Sequence, residues 1–241
     1  MIEYPKPRLS RAETRLFKET IVFIHHFGGH GASTKRHQDF VNEIGFDCIS
    51  FTLDCEWKPE MDMTLREVWC EQLTSVLDQT PGDKIIYSFS SLSMVVPQIL
   101  VEDGRKDIRV WVCDGGPFLE LFHCFQNYYT YQKNVTGFKN VVSTSVGYVL
   151  MGALGLNHKV RRWMKSFPAT LPVLSIRAGH DKLVPVRAIE KFFAAGTQMN
   201  LLKFEIPEAE HLEGLKTFPN IYKPVVTEFL FRYGTRTKSS D

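Results

Sequence analysis

Residues 84–100 read KIIYSFSSLSMVVPQIL, and this stretch decides the fold of the 241-residue chain. Ile85, Ile86 and Tyr87 make the short apolar run of a buried strand. The run breaks at Ser88-Phe89-Ser90, and Leu92, Val95, Val96, Ile99 and Leu100 then recur at helical spacing. A serine at such a junction is forced outward, because the sharp turn leaves its side chain above the sheet edge beside the following backbone N–H groups. Ser90 is therefore the candidate nucleophile. A serine-rich turn whose hydroxyls merely cap the helix would use the same residues. Pro97 stands inside the helical pattern, where an interior proline costs about 3 kcal/mol, and a kink is expected there.

Outward from this stretch, strands and helices alternate. Residues 20–25 (TIVFIH) form a β-branched and aromatic run suited to a fully buried strand. A helix over about 33–44 and a strand over 46–53 (FDCISFTL) follow, then a turn-rich stretch with Trp57-Lys58-Pro59. Leu65, Val68, Trp69, Leu73, Val76 and Leu77 mark a second helix, closed by Pro81-Gly82-Asp83. Beyond residue 100, strands are expected at 108–113, 171–177 and 201–206, with helices at 186–195 and about 217–233. Such alternation predicts a mostly parallel, doubly wound sheet flanked by helices, with ligands at the carboxyl ends of its strands.

Over 118–170 the alternation stops. Phe118, Phe122, Phe125, Tyr128, Tyr129, Tyr131 and Phe138 crowd together, and an apolar run at 146–156 follows that is too short to cross a bilayer. The formal charge of +2 carries no nucleic-acid footprint, and Lys159, Arg161, Arg162 and Lys165 suit a solvated helix face. Five cysteines, Cys48, Cys55, Cys70, Cys113 and Cys124, show no Cys-x-x-Cys pair or ligand-like spacing and read as reduced thiols of a cytoplasmic protein. Charges and prolines stand in the first residues where a secretory signal would need an uninterrupted apolar run, so export by that route is not expected.

Three motifs carry a resemblance. Ser88-Phe89-Ser90-Ser91-Leu92 resembles the nucleophile elbow of the α/β-hydrolase fold, Gly-x-Ser-x-Gly, with Ser88 as the small residue before the nucleophile and Leu92 departing from the pattern after it. Ser91 is the alternative nucleophile, with Ser93 as the small residue after it and Phe89 crowding the position before. His25-His26-Phe27-Gly28 is similar to the His-Gly-x-Gly loop of the same fold, with His26 in place of the first glycine. Gly179-His180-Asp181-Lys182-Leu183-Val184-Pro185 matches its Gly-x-Asp-x-x-Val-Pro context. The resemblance implies a Ser-Asp-His order, filled by Ser90, Asp181 and, in the loop after the last strand, His211. Backbone N–H groups of Phe27 and Ser91 would form the oxyanion hole. Asp114, after the strand at 108–113, is the competing acid, and Asp181 could equally cap the helix that follows it.

The expectation is an α/β-hydrolase core at 1–117 and 171–241 with a helical cap insertion at 118–170. The implied activity is serine hydrolysis of an uncharged, apolar carboxylic ester, with no metal or organic cofactor, no nucleic-acid partner and no stable membrane insertion. A thioesterase, a C–C hydrolase or an acyltransferase would use the same three residues. Leu92 and His26, both where the family prefers glycine, leave open a hydrolase-like binding protein without turnover.

Overall fold

A computed structural model describes residues 3–56, 62–196 and 199–237. The turn expected at Trp57-Lys58-Pro59 lies outside the described residues. Seven strands form one sheet: β1 (Arg8–Ser10), β2 (Thr20–Ile24), β3 (Asp47–Ser50), β4 (Lys84–Phe89), β5 (Ile108–Asp114), β6 (Pro172–Ala178) and β7 (Asn200–Ile206). Their spatial order is β1-β3-β2-β4-β5-β6-β7. Every pairing is parallel except β1 on β3, which is antiparallel. The polar RLS stretch of β1 offers no hydrophobic alternation, so its sequence did not announce a strand; it is recruited by the exposed edge of β3.

β2 and β4 are neighbours, but the chain leaves β2 toward β3 on one side and returns to β4 on the other. That reversal opens a crevice at the carboxyl ends of β2 and β4, where doubly wound sheets bind ligands. The strand side chains alternate between two cores, as the two-residue period of a strand requires. Val22, Ile24 and Ile86 pack with Trp69, Leu73 and Val76 of α2 (Leu65–Gln79) and Val96 and Ile99 of α3 (Val95–Glu102). Ile21, Phe23, Ile85 and Tyr87 face Phe40 and Val41 of α1 (Lys35–Glu43) and Tyr222, Val226 and Phe229 of α9 (Pro219–Tyr233).

Several boundaries depart from the periodicity. The strand expected over 46–53 ends at Ser50, although Phe51 and Leu53 stay buried. Pro97 does not interrupt a helix: Ser90–Met94 is a 3-10 turn and α3 starts only at Val95. The proline thus falls in the first helical turn, where its missing N–H would have had no partner in any case. Between β5 and β6 the chain forms α4 (Leu121–Asn127), a π turn at Tyr128–Gln132, α5 (Gly137–Leu150) and α6 (Leu156–Lys165). The helices expected at 186–195 and 217–233 are α7 (Val186–Phe193) and α9, the latter preceded by the single turn α8 (Gly214–Thr217). No helix among the described residues is long and apolar enough to cross a membrane.

Candidate active site

β4 is buried along its whole length, and the chain must reverse at its end to send α3 back across the sheet. Ser90 makes that reversal at φ +54°. A left-handed residue other than glycine costs about 1–3 kcal/mol and persists only where its surroundings enforce it. Gly116, after β5, is one such constraint: a Cβ there would sit 2.2 Å from the Ser90 carbonyl oxygen. Ser88, two residues before, is small enough to lie in the core, where its hydroxyl accepts the Trp111 indole N–H at 2.8 Å. Leu92 is fully buried in the cluster of α2 and α3. The leucine that departs from the Gly-x-Ser-x-Gly pattern is accommodated because its side chain turns into the core.

His211 lies after β7, and its Nε2 is 2.9 Å from Ser90 Oγ. Its Nδ1 is 2.5 Å from Asp181 Oδ2. A carboxylate only accepts, so this contact puts the ring proton on Nδ1 and leaves Nε2 to accept from the serine hydroxyl. The Asp181 side chain is 1% exposed. Its other oxygen, Oδ1, accepts the N–H groups of Leu183 and Val184 at 2.8 Å each. Capping the turn and holding the imidazole are thus divided between the two oxygens of one carboxylate.

The loops carrying Asp181 and His211 are fastened to each other. Gly179 N–H donates to Ile206 O and His180 N–H to Ala209 O, both at 3.0 Å. Gly179 permits the approach, since a Cβ there would lie 2.3 Å from the Pro207 carbonyl oxygen. Asp114, the competing acid, is elsewhere engaged: its Oδ2 accepts the Tyr222 hydroxyl at 2.7 Å. Burial raises its carboxyl to about 6, against which the Tyr222 hydrogen bond works. Tyr222 also meets the Tyr87 hydroxyl and, at 3.3 Å, His37 Nε2. This buried network beneath the site was not anticipated. Its trace in the sequence is Tyr87, which ends the apolar run of β4 and whose hydroxyl must find a partner when buried.

A cavity of about 520 Å³ opens over Ser90. Its lining includes the apolar side chains of Phe27, Phe118, Phe125, Tyr128, Leu183 and Val184 and the polar ones of Arg36, His37, Lys133, Glu213 and Lys216. Phe27 and Ser91 both border the cavity beside Ser90, and the Phe27 ring is held edge-on between Trp69 and Tyr128. The left-handed residue of the loop after β2 is Gly28, at φ +75°, so His26 needs no glycine-like freedom. His26 borders the cavity, and burial and then the nearby His211 hold its basicity down.

His25 is fully buried. Its Nδ1–H donates to His26 O at 2.7 Å, and its Nε2 accepts Leu53 N–H at 2.8 Å. Burial lowers it to about 4, as a neutral ring bridging two backbone segments requires. The five cysteines are free thiols. Among the described residues no cluster of His, Cys, Asp or Glu could hold a metal ion.

No family model matches the sequence, and no curated protein matches it. Solved structures do. An esterase of Pyrococcus furiosus superposes with a TM-score of 0.65 at 17% identity, over 95% of this chain and 92% of that one. A monoacylglycerol lipase of Paleococcus ferrophilus gives 0.68 at 11% identity, over 95% and 99%. An α/β hydrolase from a lagoon-sediment metagenome of Mar Chica gives 0.68 at 13% identity, over 95% of each chain. The chain has the α/β-hydrolase fold.

Proposed function

We propose that this protein is a serine hydrolase of carboxylic esters with apolar acyl groups, working through an acyl-enzyme on Ser90. One observation carries the reading: a serine held at φ +54° has its Oγ 2.9 Å from an imidazole whose other nitrogen is 2.5 Å from a buried carboxylate. In this mechanism Ser90 Oγ attacks the ester carbonyl carbon and its proton passes to His211 Nε2. The Asp181 carboxylate stabilises the resulting imidazolium. The oxyanion of the tetrahedral intermediate is held by the backbone N–H groups of Phe27 and Ser91. Collapse expels the alkoxide, which takes the proton from His211. Water then repeats the sequence on the acyl-serine and releases the acid.

The apolar side chains in the cavity lining support an acyl chain as the group bound beside Ser90, and the esterase and lipase named above share the fold. The test joins labelling to turnover. A fluorophosphonate probe reacts with an activated serine and should modify Ser90, and the protein should hydrolyse p-nitrophenyl acyl esters at an unchanged rate in EDTA. No labelling of native protein, with no turnover, would leave a hydrolase-like binding protein.

A further inference from the structure

α5 is inverted relative to an ordinary surface helix. The first half of its inward face is polar, Asn140 being 6% exposed and Thr144 fully buried, and one turn further on Tyr148 packs edge-on against Phe122. The Asn140 side-chain N–H group donates to Gln126 O, Thr130 Oγ1 and Val135 O, and Thr144 donates to Asn140 Oδ1. The outward face is Phe138, Val141, Val142, Val146 and Val149, at the i, i+3, i+4 spacing of one helical stripe. Phe138 is 81% exposed and the four valines 44–52%. The polar face is satisfied inside, so the apolar stripe is matched to surroundings that are not water.

The charge of the segment that carries the stripe bears on what those surroundings are. Residues 121–150, which form α4, the π turn and α5, contain Lys133 and Lys139 and no Asp or Glu, although acidic residues are nearly as common as basic ones in the chain as a whole. Lys139 lies within α5 beside Phe138, and Lys133 precedes the helix. The π turn against which α5 packs supplies Tyr128 and Gln132 to the wall of the cavity over Ser90. An exposed apolar stripe whose own segment carries lysines and no carboxylate is suited to the interface of an anionic bilayer.

We propose that the outer face of α5 docks the protein peripherally on anionic lipid surfaces, seating Phe138 and the valine stripe among the acyl chains and Lys139 among the headgroups. Docking does not depend on turnover at Ser90, so it is read by binding.

The experiment is co-sedimentation with vesicles of mixed phosphatidylcholine and phosphatidylserine, and with phosphatidylcholine alone, beside sedimentation velocity without lipid. The wild-type protein should pellet with the mixed vesicles and far less with the neutral ones. Phe138→Glu/Val142→Glu should lower partitioning by about ten-fold or more, each side chain losing its apolar burial. Lys139→Glu should lower it by about five-fold or more on mixed vesicles only, a surface lysine being worth about that factor. Both variants should keep the circular-dichroism melt of wild type and its hydrolysis of a short, dissolved ester, since the altered positions are exposed. Absence of pelleting with mixed vesicles overturns the proposal, as does pelleting unchanged by Phe138→Glu/Val142→Glu. A dimer dissociated by Val142→Glu, in protein that does not pellet, would assign the stripe to a second copy of the chain instead. Equal pelleting with neutral vesicles would overturn the anionic preference.

Discussion

Ser90 and Ser91 are adjacent hydroxyls, both nearly buried and both at the cavity, yet their backbones give them different chemistry. Only Ser90 has the left-handed turn that aims Oγ at His211 Nε2. Ser90→Ala should therefore reduce turnover to near background with the thermal midpoint little changed. Ser91→Ala should retain most activity, since in the proposed mechanism that residue contributes its N–H. The acids separate in the same way. Asp181→Asn leaves the wrong tautomer on His211, a change that costs about 10⁴ in kcat in the well-studied serine protease case. Asp114→Asn should cost far less activity, because its carboxyl bonds Tyr222 and not the imidazole. Steady-state kcat for the two variants ranks the acids directly, and the reverse order would place the mechanism on the wrong carboxylate.

At the scale of elements, the site depends on how closely loops approach. Gly179→Ala drives a methyl group into the Pro207 carbonyl and should part the Asp181 and His211 loops, lowering the rate of fluorophosphonate labelling and the thermal midpoint together. Gly155→Ala is the control. Its φ is +70° but its Cβ would meet nothing within 4 Å, so it should cost about 1 kcal/mol of backbone strain and leave labelling unchanged. The segment between β5 and β6 lines the cavity with Phe118, Phe125 and Tyr128, which in the proposed function would meet the acyl chain. Phe125 is only partly buried. Phe125→Ala should move ester preference toward longer acyl chains while costing less than the roughly 3–5 kcal/mol of a core phenylalanine. A chain-length series of p-nitrophenyl esters, with a urea denaturation curve for each protein, reads both effects.

For the whole molecule, buried neutral histidines set the response to acid. Burial takes His25 from 6.5 to about 4 and His37 from 6.5 to about 3. A depressed folded-state value gives stability that is fully present above about pH 6.5 and is lost as pH falls toward the folded value. Asp114, raised from 3.8 to about 6, acts in the opposite sense: its contribution is present at low pH and is lost as pH rises through about 6. Two histidines against one carboxyl leave a net loss of stability on acidification, with His25 alone contributing on the order of 3 kcal/mol. Urea midpoints measured between pH 7 and pH 4 should fall, as about half a dozen buffers would show. His25→Gln should be less stable at neutral pH but should lose less of its stability on acidification, because the titrating ring is gone. A parallel pair of curves would exclude His25 as the source.

The alternation of strands and helices from β2 onward and the turns at Ser90 and Asp181 were legible along the chain because each is local, whereas His211 was reached only through the Ser-Asp-His order that the resemblance implies. A hydrophobic run followed by a turn, or a glycine two residues before an aspartate, is written within a few positions. What is not local was not legible. The strand Arg8–Ser10 exists only because β3 presents an unpaired edge. Leu92 was ambiguous as a motif departure until the core into which it points was defined. Which carboxylate meets His211 is not local either: Asp181 does, while Asp114 bonds Tyr222, a residue 108 positions away. The outward stripe of α5 escaped notice because periodicity reports that a helix has an apolar face and is silent on which way the face turns. Only packing decides that, here by burying the hydrogen-bonded Asn140 and Thr144 and leaving Phe138 and the valines outside.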